Sequence, residues 1–393
     1  SATWEDEDVY VYLRMSIWDD EVERDLGGAF SLRWDKDLFT AANEIDDGED
    51  ETRVYYAYLD VNQVEDLHLR FGRQILQEAE GFHLTGAKAV YDTDWKNLRI
   101  GLFGGQPVSY YKSVDDDWAA GASFSLRPAR RSQLRGSWIH VDEEFRDDDV
   151  VTLTFRQYSP AGWNLWATVR TLNFDVWNEF VGGTYRIEPV DLIVTANYRR
   201  QEDTNATSSR YYYGHLSSIL GPSLPYHRLT VSLNRPFADL VTLGAGGERR
   251  ELLDDDENRT NQEYSRYFFN VFLHERALAG FEANVDFSRW YTDRDDNNTV
   301  SGSISRRVGE KLRFDAGTYY AKYEVRRFFD DPDELPTERY DVRSYYLRGD
   351  WRVKDRYRVQ LEVERGTDST SDDAYYQVEA RFGLDLGFLG SDS

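Results

Sequence analysis

From Val9 to Ile17 the chain reads Val-Tyr-Val-Tyr-Leu-Arg-Met-Ser-Ile, with apolar side chains at every second position and Tyr, Arg and Ser between them. The same alternation returns at Leu67–Phe71, Leu98–Leu102, Val151–Arg156, Leu229–Asn234, Phe281–Phe287 and Val359–Glu364. A period of two over this length marks a strand with one apolar and one polar face, because successive side chains of a strand point to opposite sides. No segment carries a 3.6-residue apolar stripe, so the pattern predicts an all-β chain from end to end.

The connections between these segments fall into two kinds that alternate. Short ones lie at 62–66, 94–97, 128–132, 159–162, 188–191, 237–239, 309–311 and 354–356. Longer, acidic ones lie at 43–52, 114–117, 142–149, 252–262, 293–298, 328–339 and 366–373. Loops sorted by parity in this way predict a single antiparallel transmembrane β-barrel with short periplasmic turns and longer acidic extracellular loops. Counting the segments gives about 20–22 strands, at roughly 18 residues per strand plus connection, which suits a membrane-crossing strand of 9–11 residues. No linker or change of composition interrupts the chain, so residues 1–393 read as one domain. Segment 201–226 is the one stretch whose strand content the pattern leaves open.

Composition narrows the class. The chain has no Cys, which removes disulfide frameworks, thiolate metal sites and cysteine nucleophiles. Its 27 Tyr, 21 Phe and 11 Trp are too many for a disordered chain. The formal charge of −25 argues against nucleic acid as a partner. No run of eighteen apolar residues is present, which excludes spanning helices and leaves strands untouched. Trp95, Trp118, Trp163, Trp177, Trp290 and Trp351 stand near segment ends, where an interfacial aromatic girdle is expected.

Two segments resemble known families. Ala57-Tyr58-Leu59-Asp60-Val61, then Leu67-His68-Leu69-Arg70-Phe71-Gly72-Arg73-Gln74, then Gly86–Asp92 resemble the "GRQ" segment of large bacterial porins. The resemblance implies a place near the barrel wall for Arg73 and Gln74, as structural residues. The end of the chain, Phe382-Gly383-Leu384-Asp385-Leu386-Gly387-Phe388, resembles the C-terminal strand by which outer-membrane proteins are recognised for insertion, although Leu389–Ser393 follow it. A more distant likeness is to the barrel component of porin–cytochrome conduits. Together these imply a bacterial outer-membrane location, with membrane lipid or lipopolysaccharide around the wall. The start at Ser1-Ala2-Thr3, without Met or an apolar leader, is expected of a mature form after export.

Candidate chemistry lies on the polar face. Of the 47 basic residues 40 are Arg, and Arg14, Arg70, Arg99, Arg127, Arg156, Arg170, Arg199, Arg228, Arg266, Arg313, Arg348, Arg358 and Arg381 fall at lumen parity. Asp60, Glu282, Asp286, Asp315, Asp350, Glu362, Glu364 and Glu379 share that face. Two readings stay open: a mixed-charge wall braced by Arg–carboxylate forks, and an arginine ladder that guides anions. Acidic loops would gather cations at the mouth. Tyr211, Tyr212 and Tyr213 form an aromatic, low-charge stretch expected to constrict the pore or to contact a lumen-filling partner.

Asp254-x-Asp256-x-Asn258 lacks the Gly and Glu of a calcium loop, and the six His have no metal-ligand spacing. No nucleophile elbow, phosphate-binding loop or dinucleotide fingerprint is present. No cofactor, no metal and no enzymatic activity are expected. The function expected is a water-filled channel for small polar or charged solutes. The alternatives are a scaffold enclosing a multihaem cytochrome in an electron conduit, and an exporter of acidic polysaccharide.

Overall fold

A computed structural model describes residues 8–17, 26–37, 51–64, 66–108, 117–143, 146–202, 225–253, 262–292, 295–326, 337–354, 357–369 and 374–384. They form 21 strands and three short 3₁₀ turns. The strands are β1 (Asp8–Ile17), β2 (Leu26–Asp37), β3 (Glu51–Val64), β4 (Leu67–Leu76), β5 (Phe82–Thr93), β6 (Leu98–Pro107) and β7 (Trp118–Leu126). They continue as β8 (Ser132–Glu143), β9 (Arg146–Tyr158), β10 (Trp163–Leu172), β11 (Asp175–Ile187), β12 (Leu192–Gln201), β13 (Tyr226–Phe237) and β14 (Val241–Leu252). The last are β15 (Tyr264–Leu278), β16 (Phe281–Tyr291), β17 (Asp296–Val308), β18 (Leu312–Arg326), β19 (Thr337–Lys354), β20 (Tyr357–Asp368) and β21 (Ala374–Leu384).

Each strand pairs antiparallel with the next in one 21-stranded meander. Among the described residues β1 and β21 have one pairing each. The parity of the connections holds only in part: eight residues follow β1, and five or fewer follow the even strands β4, β8, β10, β16 and β20. The turns after β3, β5, β7, β9, β11, β13, β15, β17 and β19 span at most five residues, and the longest connections follow β2, β6, β12, β14 and β18. β12 and β13 pair directly, with Gln201 opposite Tyr226, so no strand of the sheet stands between them. The acidic run expected as a loop at 142–149 is largely strand. Its carboxylates are used locally: Trp138 Nε1 donates to Asp149 at 2.8 Å and Asn173 Nδ2 donates to Asp148 at 2.9 Å.

The two faces differ as the alternation predicts. Leu59, Phe71, Leu102, Leu153, Leu165, Val181, Leu229, Phe269, Phe287, Leu347 and Val363 are exposed on one face. Trp95, Tyr185 and Trp351 stand on that face toward the short turns, and Trp118, Tyr198, Tyr267, Tyr345 and Tyr376 stand toward the long loops. An exposed apolar band between two aromatic rows has hydrocarbon as its solvent. In hydrocarbon an open sheet edge would strand its N–H and C=O groups, so such a wall is a barrel. The other face holds Arg, Asp, Glu, Asn, Ser and Thr and lines the lumen.

Two of the expected girdle tryptophans are inside. A β-bulge shifts the pairing of β10 and β11 between Arg170 and Thr171, and Trp177 is the residue left without a partner. The bulge turns its ring inward, where it is 1% exposed. Trp290 is opposite Arg266 on the lumen face and meets the Tyr264 ring at 5.6 Å.

Candidate channel constriction

β4 follows β3 only as far as Ala57 opposite Arg73; beyond that point β3 runs on to Glu51 while β4 leaves it. Gly72 makes the parting possible. Its φ is +114°, and a Cβ there would stand 2.3 Å from the Ala57 carbonyl oxygen. The carbonyls that β3 loses are taken up by side chains. Arg73 Nη1 donates to Val54 O at 3.0 Å, and His83 Nε2 donates to Tyr55 O at 2.6 Å. The GRQ segment is thus a peeling point: Gly permits it and Arg heals it. Gln74 just beyond is fully buried.

Freed from β3, the end of the β4–β5 hairpin folds into the lumen and rests on the wall at the long-loop end. Leu76, Ala79, Phe82 and Leu84 are buried there against Phe103, Ala119, Ile139, Val141, Val150, Leu172 and Trp177. The wall side of this core is a row in register, with Phe103 opposite Gly121, Gly121 opposite Ile139, Ile139 opposite Val150 and Val150 opposite Leu172. Apolar residues sit on the lumen face only because the hairpin covers them. Burying Leu76, Phe82 and Leu84 against that row contributes about 1.5–3 kcal/mol per side chain.

Below the tip is a cleft of about 340 Å³. The tip supplies Gln77, Glu78 and Glu80, and the wall supplies Arg135, Ser137, Thr152, Thr154, Arg156 and Arg170. Arg170 Nε donates to Glu80 Oε2 at 2.6 Å, and Arg170 Nη1 donates to Asn178 Oδ1 at 3.2 Å. Lys88 Nζ pairs with Glu78 Oε1 at 2.5 Å. Both tip carboxylates are therefore matched by cations. Arg135 and Arg156 have no carboxylate of a described residue within ion-pair distance, so the cleft keeps a surplus of positive charge.

The arginines singled out from the sequence divide by what they touch. Arg70 forks onto Asp60 at 2.6 and 3.0 Å, and Arg99 onto Asp92 at 2.6 and 2.7 Å. Arg313 donates to Asp315 at 3.1 Å, Arg358 to Asp350 at 2.9 Å, and Arg348 lies 3.7 Å from Glu362. Arg266 lies over the Phe268 ring at 5.7 Å. Arg199, Arg228 and a third arginine, Arg250, stand opposite one another on β12, β13 and β14. A smaller cleft of about 210 Å³ opens at Arg199 and Arg228, beside Phe180, Asn197 and Thr230.

Arg14 and Arg381 share the lumen face by register, opposite Ser31 and Gln360, but their side chains lie outside the described residues. Arg127 is elsewhere: β7 ends at Leu126, and Arg127 opens the turn that Pro128 forces, its N–H bonded to the Lys96 carbonyl. Tyr211, Tyr212 and Tyr213 also lie outside the described residues. The element found on the lumen side among the described residues is the β4–β5 tip, which the sequence reading passed over. Its signal was present in β8. Below Ser137 the lumen positions are Gln133 and Arg135, and above it they become Ile139 and Val141.

No family model and no curated protein matches the chain. Among solved structures it is similar to the P pilus usher (PapC) translocation pore, at TM-score 0.49 and 12% identity over 96% of this chain and 95% of that one. It is also similar to OccK3 (OpdO) of Pseudomonas aeruginosa, at TM-score 0.43 and 10% identity over 95% and 92%. Against OccAB3 of Acinetobacter baumannii the TM-score is 0.41 and the identity 9%, over 96% of each chain. What makes this sheet a membrane wall is its own pair of faces.

Proposed function

We propose that the chain is a channel of the bacterial outer membrane that passes small charged or polar solutes and is narrowed by the β4–β5 tip. The observation that carries this reading is the lumen face itself, polar except where the hairpin covers it, on a barrel wide enough to hold water. The tip brings a second surface into that lumen, and the cleft between them joins Arg135 and Arg156 to two neutralised carboxylates. A surplus of fixed cations beside the infolded tip favours anions in transit. The acidic loops act earlier, at the mouth, where salt screens them more strongly.

The conduit reading needs a partner to fill a wide barrel. The infolded hairpin supplies part of that filling from the chain itself, which weakens the reason for a cytochrome. Export of an acidic polysaccharide would use the same arginines on a larger substrate, and no described contact favours it over small anions.

Purified protein in planar bilayers tests the proposal. Discrete conductance steps are expected, with a reversal potential in a KCl gradient displaced toward chloride. Insertion without conductance would overturn it. A haem absorbance band accompanying the purified barrel would move the assignment to the conduit.

A further inference from the structure

On the lipid-facing side, the basic residues near the long-loop rim mostly have carboxylates. Arg249 pairs with Glu251 at 3.4 Å, Arg289 with Asp296 at 2.7 Å and Arg339 with Glu324 at 3.1 Å. Arg343 on β19 and Arg365 on β20 break the rule. Neither has a carboxylate of a described residue in reach, and each lies over a tyrosine ring. Arg343 is 5.1 Å from the Tyr320 centroid and Arg365 is 5.8 Å from that of Tyr376.

The pair is adjacent by register. Arg343 is opposite Thr367 and Arg365 is opposite Tyr345, so the two arginines are diagonal neighbours on one face, with Cβ atoms within roughly 7–8 Å. Their depth is fixed by what surrounds them. Toward the membrane centre come Leu347, Leu361 and Val363, all exposed, and at their own level stand Tyr345 and Tyr376. A tyrosine row directly above an apolar band marks the head-group level. Two bare guanidinium groups at that level face the place where lipid phosphates lie, and the guanidinium fork matches phosphate oxygens in geometry as well as charge. The opposite rim has Arg235 over Phe237 and Arg306 over Phe281, but these are on β13 and β17 and cannot share one head group.

We propose that Arg343 and Arg365 together form a binding site for the phosphate of an outer-leaflet glycolipid of the lipopolysaccharide type. The tyrosines flank the sugar and the apolar band below receives the acyl chains. The inference rests on the outer-membrane reading above, since that membrane has a phosphorylated glycolipid on its long-loop side.

Native mass spectrometry of the detergent-solubilised full chain, titrated with lipid A and with dephosphorylated lipid A, tests it. The wild type should hold lipid A roughly tenfold more tightly than the dephosphorylated form, as expected for a charge-assisted pair of contacts. The double variant Arg343→Gln/Arg365→Gln should lose that preference, while Arg235→Gln/Arg306→Gln should keep it. Equal binding of the two lipids by the wild type, or an unchanged preference in the Arg343/Arg365 variant, overturns the proposal. Single-channel conductance measured in parallel separates the two readings. Normal conductance without lipid preference removes only the lipid site, and a wild-type chain that forms no barrel in detergent removes both.

Discussion

Arg170 on β10 holds Glu80 at the tip of the β4–β5 hairpin, a 2.6 Å bond between residues 90 positions apart. It ties the infolded tip to the wall on which the tip rests. A hydrogen bond between charged groups is worth about 1.5–3 kcal/mol, enough to shift a docked-to-free ratio on the order of 10- to 100-fold. Arg170→Ala should therefore raise single-channel conductance or replace a steady level with flicker. An unchanged, quiet conductance would show that the apolar core alone holds the tip.

Selectivity should follow the unmatched arginines. Arg135→Glu with Arg156→Glu reverses the charge surplus of the cleft, and the reversal potential in a KCl gradient should move toward potassium. Removing a balanced pair, Arg70→Gln with Asp60→Asn, should leave it where it was. If the balanced pair moves it as far, selectivity arises from the whole wall and not from the constriction.

Facing can be tested with neighbours on one strand. Leu153 is 46% exposed on the lipid side, whereas Thr154 lines the cleft. Leu153→Arg should cost about 2–4 kcal/mol if it lies near the bilayer midplane. Thr154→Arg enters water and should cost little in stability, read as the urea midpoint of unfolding from lipid vesicles. The reverse order would mean that the faces are exchanged, as a one-residue slip does.

The peeling point should tolerate no side chain. Gly72→Val places a Cβ against the Ala57 carbonyl in a left-handed conformation, at a cost of about 1–3 kcal/mol. Gly302→Ala is the control, because its Cβ would meet only the Asn284 carbonyl oxygen at 3.6 Å. Heat-modifiable migration on gels should show the first variant unfolding at lower temperature and the second unchanged.

Most of the wall was legible in the sequence because a strand with lipid on one side and water on the other must alternate, and Leu153, Thr154 and Phe155 do so without exception. Alternation fails to report where one face changes its solvent. Ile139 and Val141 keep the strand's period but point at a hairpin instead of water, so they read as ordinary strand. Trp177 escaped for a related reason: one bulged residue on β11 turns a girdle position into a core position. The fork of Arg70 on Asp60 could be anticipated as a kind of contact, since both residue types share the face. Which arginines would be left without a carboxylate could not, because that depends on register between strands. Arg135 and Arg156 differ from Arg70 only in what stands opposite.

Every pairing among the described residues joins strands that are neighbours in the chain, and most follow a turn of a few residues. Such a sheet can zip hairpin by hairpin. The docking of Leu76 and Glu80 on Leu172 and Arg170 has no such shortcut, since β6 to β10 must already stand side by side before the apolar row exists for the tip to cover. Contacts of long sequence separation form late, after the closure entropy of the intervening chain has been met. The tip therefore docks only after β6 to β11 have paired, and the bore beside them is wider until that has happened.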